Sequence, residues 1–491
     1  MSRRTRTFTI GMVIAMSVGI GAVAVARTAG SDRDTASGSG SRRPNLLVIM
    51  TDDQTLESMR TMEVTNAQIG NEGTQFGEYY VSFPNCCPSR ATYLTGQYSH
   101  NTGVEDNLPP LGGVKKFRDS EALPVWLQRA GYFTASIGKY LNGWGNDGTI
   151  TPPAGWNHWF GLIDPSTYNY FNYSVSVDGV ERHYGERPED YQTDVLGAEV
   201  VATVNSRAGQ SQPWFISFTP LSPHAEKPET PSGESGSGFK WAYPRPAPRH
   251  DHSAKGVSAP RTRSFNEDNS SKPAELKEKE EITPGVEKLI DEGYRYELET
   301  LKATDEWVGK ILDALRQTNQ LDNTVILFTS DNGYFHGEHR LNFQKYYLYE
   351  PAVHLPLMIR GPGFPKGKQV TQMAANIDLA PTLLGAAGVP VPDSVDGIDL
   401  ASVVKDPKAS ADRPILLENK TNNGRETKGI QTERYVYLEH ETGEKELYDL
   451  KVDPDEVTNL TGDPASASVQ TRLAGRLAKL KTCRHTGCRD A

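Results

Sequence analysis

Pro44-Asn-Leu-Leu-Val-Ile-Met-Thr-Asp-Asp53 is the stretch on which the fold turns. Leu46 to Met50 are apolar without alternation, so both faces of the strand they form need cover. The run stops on Asp52-Asp53, two adjacent carboxylates that repel each other unless a cation lies between them. Similar runs recur at Tyr132–Ile137, Trp214–Phe218, Thr324–Thr329 and Leu355–Arg360. Helical stretches separate them: one around Pro88–Leu94, one over Leu123–Ala130, and a long one from about Val286 to Gln317. In the last, Leu301, Val308, Ile311, Leu312 and Leu315 recur at helical spacing after a Thr283-Pro284 start signal. Buried strands alternating with helices predict an α/β fold, with a mostly parallel central sheet covered on both faces. In such sheets the chemistry collects beyond the carboxyl ends of the strands.

The rest of the chain fits around that frame. Its 491 residues are 36% hydrophobic and 23% charged, which excludes a multi-span membrane protein and a wholly disordered chain. A net charge of −10 argues against a nucleic-acid partner and against attachment to anionic lipid by bulk charge. An anionic substrate must therefore be held by local cations. At the N-terminus, Arg3, Arg4 and Arg6 precede an apolar run from Phe8 to Ala26 that ends in Ala24-Val25-Ala26. Residues 1–26 read as a cleaved signal peptide, with a retained anchor as the alternative, and Ser2-Arg3-Arg4 hints at the twin-arginine route. A secreted or cell-surface enzyme is expected, with no stable membrane span after processing.

Residues 27–43 read as a flexible linker, 44–400 as the catalytic domain and 401–491 as a smaller C-terminal α+β subdomain. Residues 225–283, rich in Pro, Gly, Ser and charge, read as an insert loop. Ile415–Leu417, Gln431–Leu438 and Lys445–Leu450 predict a short antiparallel sheet, the last two joined by a hairpin at 441–444. Cys483 and Cys488 lie close enough in sequence to pair in an oxidising compartment, whereas adjacent Cys86 and Cys87 need another explanation.

Asp331-Asn332-Gly333 follows the Thr324–Thr329 run as Asp52-Asp53 follows the first. Each cluster alone also suits a turn or helix cap. Together they offer four hard oxygen ligands, which favour Ca²⁺ or Mg²⁺ over zinc or copper. Between them lies Cys86-Cys87-Pro88-Ser89-Arg90, extended by Ala91-Thr-Tyr-Leu-Thr-Gly96. This C-x-P-S-R pattern resembles the signature of the type I, formylglycine-dependent sulfatases, and the resemblance runs from Pro44 to the Glu446–Leu460 region.

The resemblance implies an alkaline-phosphatase-like α/β/α sandwich with a smaller C-terminal subdomain. It implies that a maturation enzyme oxidises Cys86, not Cys87, to Cα-formylglycine (3-oxoalanine), since Pro88 must lie two residues on. Asp52, Asp53, Asp331 and Asn332, with the residue at Cys86, match the metal site, usually calcium and otherwise magnesium. Arg90 matches the group that holds the nucleophile, and Lys139 the sulfate-binding lysine. His224 and Lys345 match the pair that binds the ester and assists the leaving oxygen. The implied reaction is hydrolysis of a sulfate monoester. Cations neutralise its non-bridging oxygens while the hydrated aldehyde provides the attacking hydroxyl.

Many sulfatases carry histidine where this chain has Leu141, and Asn142 or another group must then take that role. Gly138-Lys-Tyr-Leu-Asn142, the Cys-Cys pair, Arg360-Gly-Pro-Gly363 and Asn266-Glu-Asp-Asn269 before Lys272-Pro273 resemble the N-acetylglucosamine-6-sulfatase and heparan endosulfatase subgroup. That points to a sulfated amino sugar of the glycosaminoglycan kind. His336 is a candidate substrate contact and His339 another, each with a solvated loop as the alternative; the charged run Glu275–Glu281 reads as a solvated helix face. The competing activities are a broad arylsulfatase and a phosphate or phosphonate monoesterase on the same scaffold. A cell-surface glycan binder without turnover is the competitor from another class.

Overall fold

The structure, a computed structural model, describes residues 42–226, 243–420 and 425–489. The expected signal peptide, all but the end of the linker and residues 227–242 of the insert lie outside them. Asn45–Thr51 sits near the middle of a ten-stranded sheet. It pairs in parallel with Thr324–Ser330 on one side and Trp214–Thr219 on the other. Phe133–Gly138 and then His158–Leu162 continue the parallel block. A hairpin, Tyr173–Val177 with Val180–Tyr184, closes that edge. On the opposite side come Leu357–Arg360, Thr74–Phe76 and Lys368–Val370.

Every residue of Asn45–Thr51 is buried, as the unbroken apolar run requires. Leu46, Val48 and Met50 join one core with Ala91, Leu94, Leu123, Leu127, Leu379 and Leu383, so three helices cover that face. Leu47 and Ile49 join the other with Leu196, Val200, Leu301, Val308 and Ile311, from the helices Gln192–Ser206 and Pro284–Gln317. The alternation of strand side chains thus builds the α/β/α layering of the alkaline-phosphatase-like fold. The long helix starts at Pro284, with the Thr283 side chain accepting from Val286 N.

Some expectations need correction. Leu355–Arg360 forms a shorter strand, Leu357–Arg360, antiparallel to both neighbours. Gln431–Leu438 is not one strand: Glu426–Gln431 ends there, residues 432–434 turn, and Tyr435–His440 returns. With Ile415–Lys420 and Lys445–Asp449 these make a four-stranded antiparallel sheet. The helix Ala467–Leu480 packs on it through Leu473, Leu477 and Leu480. Glu275–Glu281 is not a helix face, because Ala274–Lys277 is a single turn and Glu278–Glu281 is irregular. Cys483 and Cys488 form a disulfide, and the Cys483 carbonyl accepts from His100 Nε2 at 2.9 Å. No helix of the described residues is long and apolar enough to cross a membrane.

Candidate active site

Four chain segments end at the carboxyl edge of the parallel block and meet there. Asp52 and Asp53 follow the central strand, and the Asp52 N–H donates to Ser222 O at 3.1 Å. Asp53 adopts φ +67°, a backbone turn that a carboxylate residue tolerates better than most. Asp331 follows the neighbouring strand and donates its N–H to Thr51 O at 3.1 Å. Lys139 follows Gly138, whose φ of +117° brings a backbone carbonyl, Thr219 O, to 2.1 Å from where a Cβ would sit. Only glycine fits there.

Cys86 is the first residue of the helix Cys86–Thr95, earlier by two residues than the expected start at Pro88. Asn85 caps it, its side-chain oxygen accepting from Cys86 N at 3.0 Å. The positive end of that helix faces the centre, which favours an anion there. Pro88 fits the first turn because its missing N–H has no helical partner in any case. One turn on, Arg90 is 2% exposed and ties three segments together. Its Nε donates to Asp331 Oδ2 at 2.8 Å, and its terminal nitrogens donate to Asp52 Oδ2 at 2.9 Å and Lys139 O at 2.9 Å.

Lys345, Lys139 and His224 complete the centre. Lys345 Nζ lies 2.9 Å from Cys86 Sγ and also bonds Asp53 Oδ1. Lys139 Nζ lies 2.5 Å from Asp52 Oδ2 and has no other hydrogen-bond partner among the described residues. His224 Nδ1 donates to Ala225 O at 2.7 Å, which leaves Nε2 facing Asp53 Oδ2 at 3.7 Å.

Burial favours a neutral Asp52, yet Lys139 and Arg90, with His224 and Lys345, hold its carboxyl well below the usual range. Burial and the Asp52 carboxylate push Asp331 up despite Arg90. Burial, with Asp52 adding to it, pushes the Cys86 thiol up to about 12 against the pull of Lys139 and Lys345. An unmodified thiol here is protonated at neutral pH and a poor nucleophile. Burial lowers His224 despite Asp53 and Asp52, so the imidazole is neutral in the substrate-free centre.

Asp52, Asp53, Cys86 and His224 place a ligand atom each within 4.8 Å of one another. Asp331 stands outside that group of four, its Oδ1 accepting from Asp53 N and Asn332 N and its Oδ2 engaged by Arg90. Asn332 Nδ2 donates to Asp53 Oδ1 at 2.6 Å, while Asn332 Oδ1 is buried with no partner among the described residues. That orphaned carbonyl beside two carboxylates is the donor chemistry of a hard divalent cation. Charge balance agrees. The carboxylates of Asp52, Asp53 and Asp331 are matched by Arg90, Lys139 and Lys345, so an added anionic ester calls for one more source of positive charge.

His336 is 3% exposed and bonds Glu297 at 2.7 Å, between the rings of Tyr294 and Tyr334. It lines a cavity of about 310 Å³ with Thr55, Glu57 and Glu338, and Tyr334 lines both this cavity and the small one that Asp53 and His224 line. His339 is fully buried against Glu267 and Tyr349. The solvated-loop alternative fails for both. Cys87 is buried beside Cys86, and burial pushes its thiol up to about 12 against the pull of the Asn142 and Gly113 backbone N–H groups. Tyr168, which carries no signal in the sequence, packs on both Lys139 and His224.

Taken together, sheet order and a charge-balanced centre at its carboxyl edge define an alkaline-phosphatase-like ester hydrolase. The family described as Sulfatase matches residues 44–389, and that described as N-sulphoglucosamine sulphohydrolase, C-terminal, matches 337–483. The chain belongs to the sulfatase family and is a sulfate ester hydrolase. It is 31% identical to an N-acetylglucosamine-6-sulfatase of Homo sapiens, over 92% of this chain and 87% of the relative. It is 30% identical to an arylsulfatase of Volvox carteri, over 92% of this chain and 76% of the relative. A solved structure of a protein in complex with its substrate D-glucosamine-2-N,6-O-disulfate superposes with a TM-score of 0.75 at 25% identity. That match covers 90% of this chain and 98% of the other.

Proposed function

We propose that this chain is an exported sulfatase that hydrolyses sulfate monoesters of amino sugars, such as N-acetylglucosamine 6-sulfate units of glycosaminoglycans. It works through formylglycine at position 86 and a bound divalent metal, Ca²⁺ ahead of Mg²⁺. The supporting observation is the placement of Cys86: a C-x-P-S-R cysteine at a helix N-terminus, 2.9 Å from Lys345 Nζ and 3.5 Å from Asp52 Oδ1. The N-acetylglucosamine-6-sulfatase relative, covered over most of its length, supports the choice of substrate. The basic, then apolar, leader ending in Ala24-Val25-Ala26 supports export.

Residue 86, once oxidised by a maturation enzyme, supplies a hydroxyl nucleophile in its hydrated form, and a divalent ion on Asp52, Asp53 and Asn332 supplies positive charge for the sulfate oxygens. The other work falls to side chains already in place. Arg90 fixes Asp52 and Asp331 against each other and keeps both turned into the centre. Lys139 and Lys345, both held charged by nearby carboxylates despite burial, meet the non-bridging oxygens. Their charges are aimed before the bond to the leaving oxygen stretches, which is electrostatic preorganisation. An anionic ester beside His224 favours its charged form, and Nε2 then holds a proton for the leaving oxygen.

The test is sulfate release from a panel of sulfated monosaccharides, with paired aryl sulfate and aryl phosphate substrates alongside. Preferred turnover of N-acetylglucosamine 6-sulfate supports the reading. Turnover of aryl sulfates alone supports the broad arylsulfatase, faster phosphate or phosphonate turnover supports the monoesterase, and sugar binding with no turnover supports the glycan binder.

A further inference from the structure

Lys139 and His224 reach the centre from different loops, and one side chain touches both. Tyr168, 4% exposed, ends the short 3₁₀ turn Ser166–Tyr168. Its ring centre lies 4.9 Å from Lys139 Nζ and 5.1 Å from the His224 ring, inclined at 49°. Lys139 is thus held between a carboxylate, Asp52, and an aromatic ring, an arrangement that fixes where the ammonium stands.

The ring is itself anchored. Its hydroxyl accepts from Asn142 Nδ2 at 2.6 Å, and Asn142 lies three residues beyond Lys139 on the same loop. Gly143 N donates to Asp164 Oδ2 at 2.6 Å and joins the same two loops a second time. The Asn142 carbonyl accepts from Val114 N at 2.9 Å. On the other side, Gln192 Nε2 donates to Thr167 O at 3.0 Å and Asn169 O at 2.7 Å, the residues that flank Tyr168. Leu141 is committed to the apolar core and contributes nothing to the centre.

Resting on the sulfatase reading above, we propose that Asn142 and Tyr168 form a positioning pair. Asn142 sets the ring angle through the hydroxyl, and the ring sets where the Lys139 ammonium and the His224 imidazole meet a bound sulfate group. Neither is a catalytic residue. Their effect passes through Lys139 and His224.

Tyr168→Phe keeps the ring and cuts the tether, Asn142→Ala cuts it from the other end, and Asn142→Ser repeats that cut if alanine fails to fold. Calorimetric titration with inorganic sulfate reads the pair without needing turnover. Each single variant is expected to weaken sulfate about threefold to tenfold, and the double variant no more than the worse single, because both remove one tether. In kinetics, kcat on N-acetylglucosamine 6-sulfate is expected to fall about tenfold, against less than about threefold on 4-nitrophenyl sulfate, whose leaving oxygen needs no proton. Unchanged sulfate affinity, additive losses in the double variant, or equal kcat losses on both esters each overturn the pair. If wild-type protein releases sulfate from no ester while the shared weakening appears in the titration, the sulfatase reading falls and the pair stands.

Discussion

Arg90 Nε meets Asp331 Oδ2 at 2.8 Å with both side chains almost entirely out of water. The guanidinium reaches Asp52 and the Lys139 carbonyl with its other nitrogens, so one planar fork joins the helix that carries Cys86 to three strand ends. A lysine carries its three donors on one nitrogen and cannot span acceptors that here meet three separate guanidinium nitrogens.

Removing that fork takes the cation from the buried Asp331 carboxylate and leaves Asp52 with Lys139 alone. Arg90→Met is expected to lower unfolding free energy by about 3–5 kcal/mol, with Arg90→Lys close behind. Urea denaturation of the purified variants measures it, and a midpoint unchanged from wild type would contradict the structural role assigned to Arg90.

Asn332 Oδ1 and the two aspartates next to it supply the second expectation. Calcium at a hundred times its dissociation constant should stabilise the protein by about 2.7 kcal/mol. A thermal melt with and without chelator reads this, Asn332→Ala should shrink the shift, and an identical calcium response in that variant would remove Asn332 from the ligand set.

A pH dependence arises away from the centre, at His354. Nδ1 donates to Glu350 Oε2 and Nε2 to Gly77 O, both at 2.7 Å, and the ring stacks on Tyr80 at 4.7 Å. Burial opposes the charge, yet Glu350 and the Gly77 carbonyl raise the imidazole from 6.5 to about 9. A folded pKa above the unfolded one means the contribution is complete below about pH 6.5 and is lost as pH rises through about 9, an effect on the order of 3 kcal/mol. The difference in melting temperature between wild type and His354→Gln should therefore narrow across that window. A constant difference would show that His354 is uncharged in the fold.

Four strands of the parallel block were legible because burial on both faces leaves an unbroken apolar run, as at Leu46–Met50; the fifth, His158–Leu162, was not, its short run being broken by Gly161. Asp52, Asp53, Asp331 and Asn332 were legible as a set because each follows such a run, and the structure gathers them at one edge of the sheet. The antiparallel direction of Leu357–Arg360 was not, since an apolar strand reads alike either way. Residues 431–438 misled because Thr432-Glu-Arg434 turns without Gly or Pro. The helix Ala467–Leu480 has only Leu473, Leu477 and Leu480 as its buried stripe, a weak signal in an otherwise polar tail. The burial of His336 and His339 depends on Glu297 and Glu267, far away in the chain, and Tyr168 enters from a loop with no motif. Such long-range partners are a property of the packed chain rather than of any local pattern.

Active, purified protein should be digested and the peptide spanning Cys86 and Cys87 weighed by mass spectrometry, with Cys86→Ala and Cys87→Ala protein assayed in parallel. The account predicts an aldehyde at position 86 and an intact thiol at 87, with turnover abolished by Cys86→Ala and largely kept by Cys87→Ala. Fully active protein carrying two unmodified thiols would contradict it.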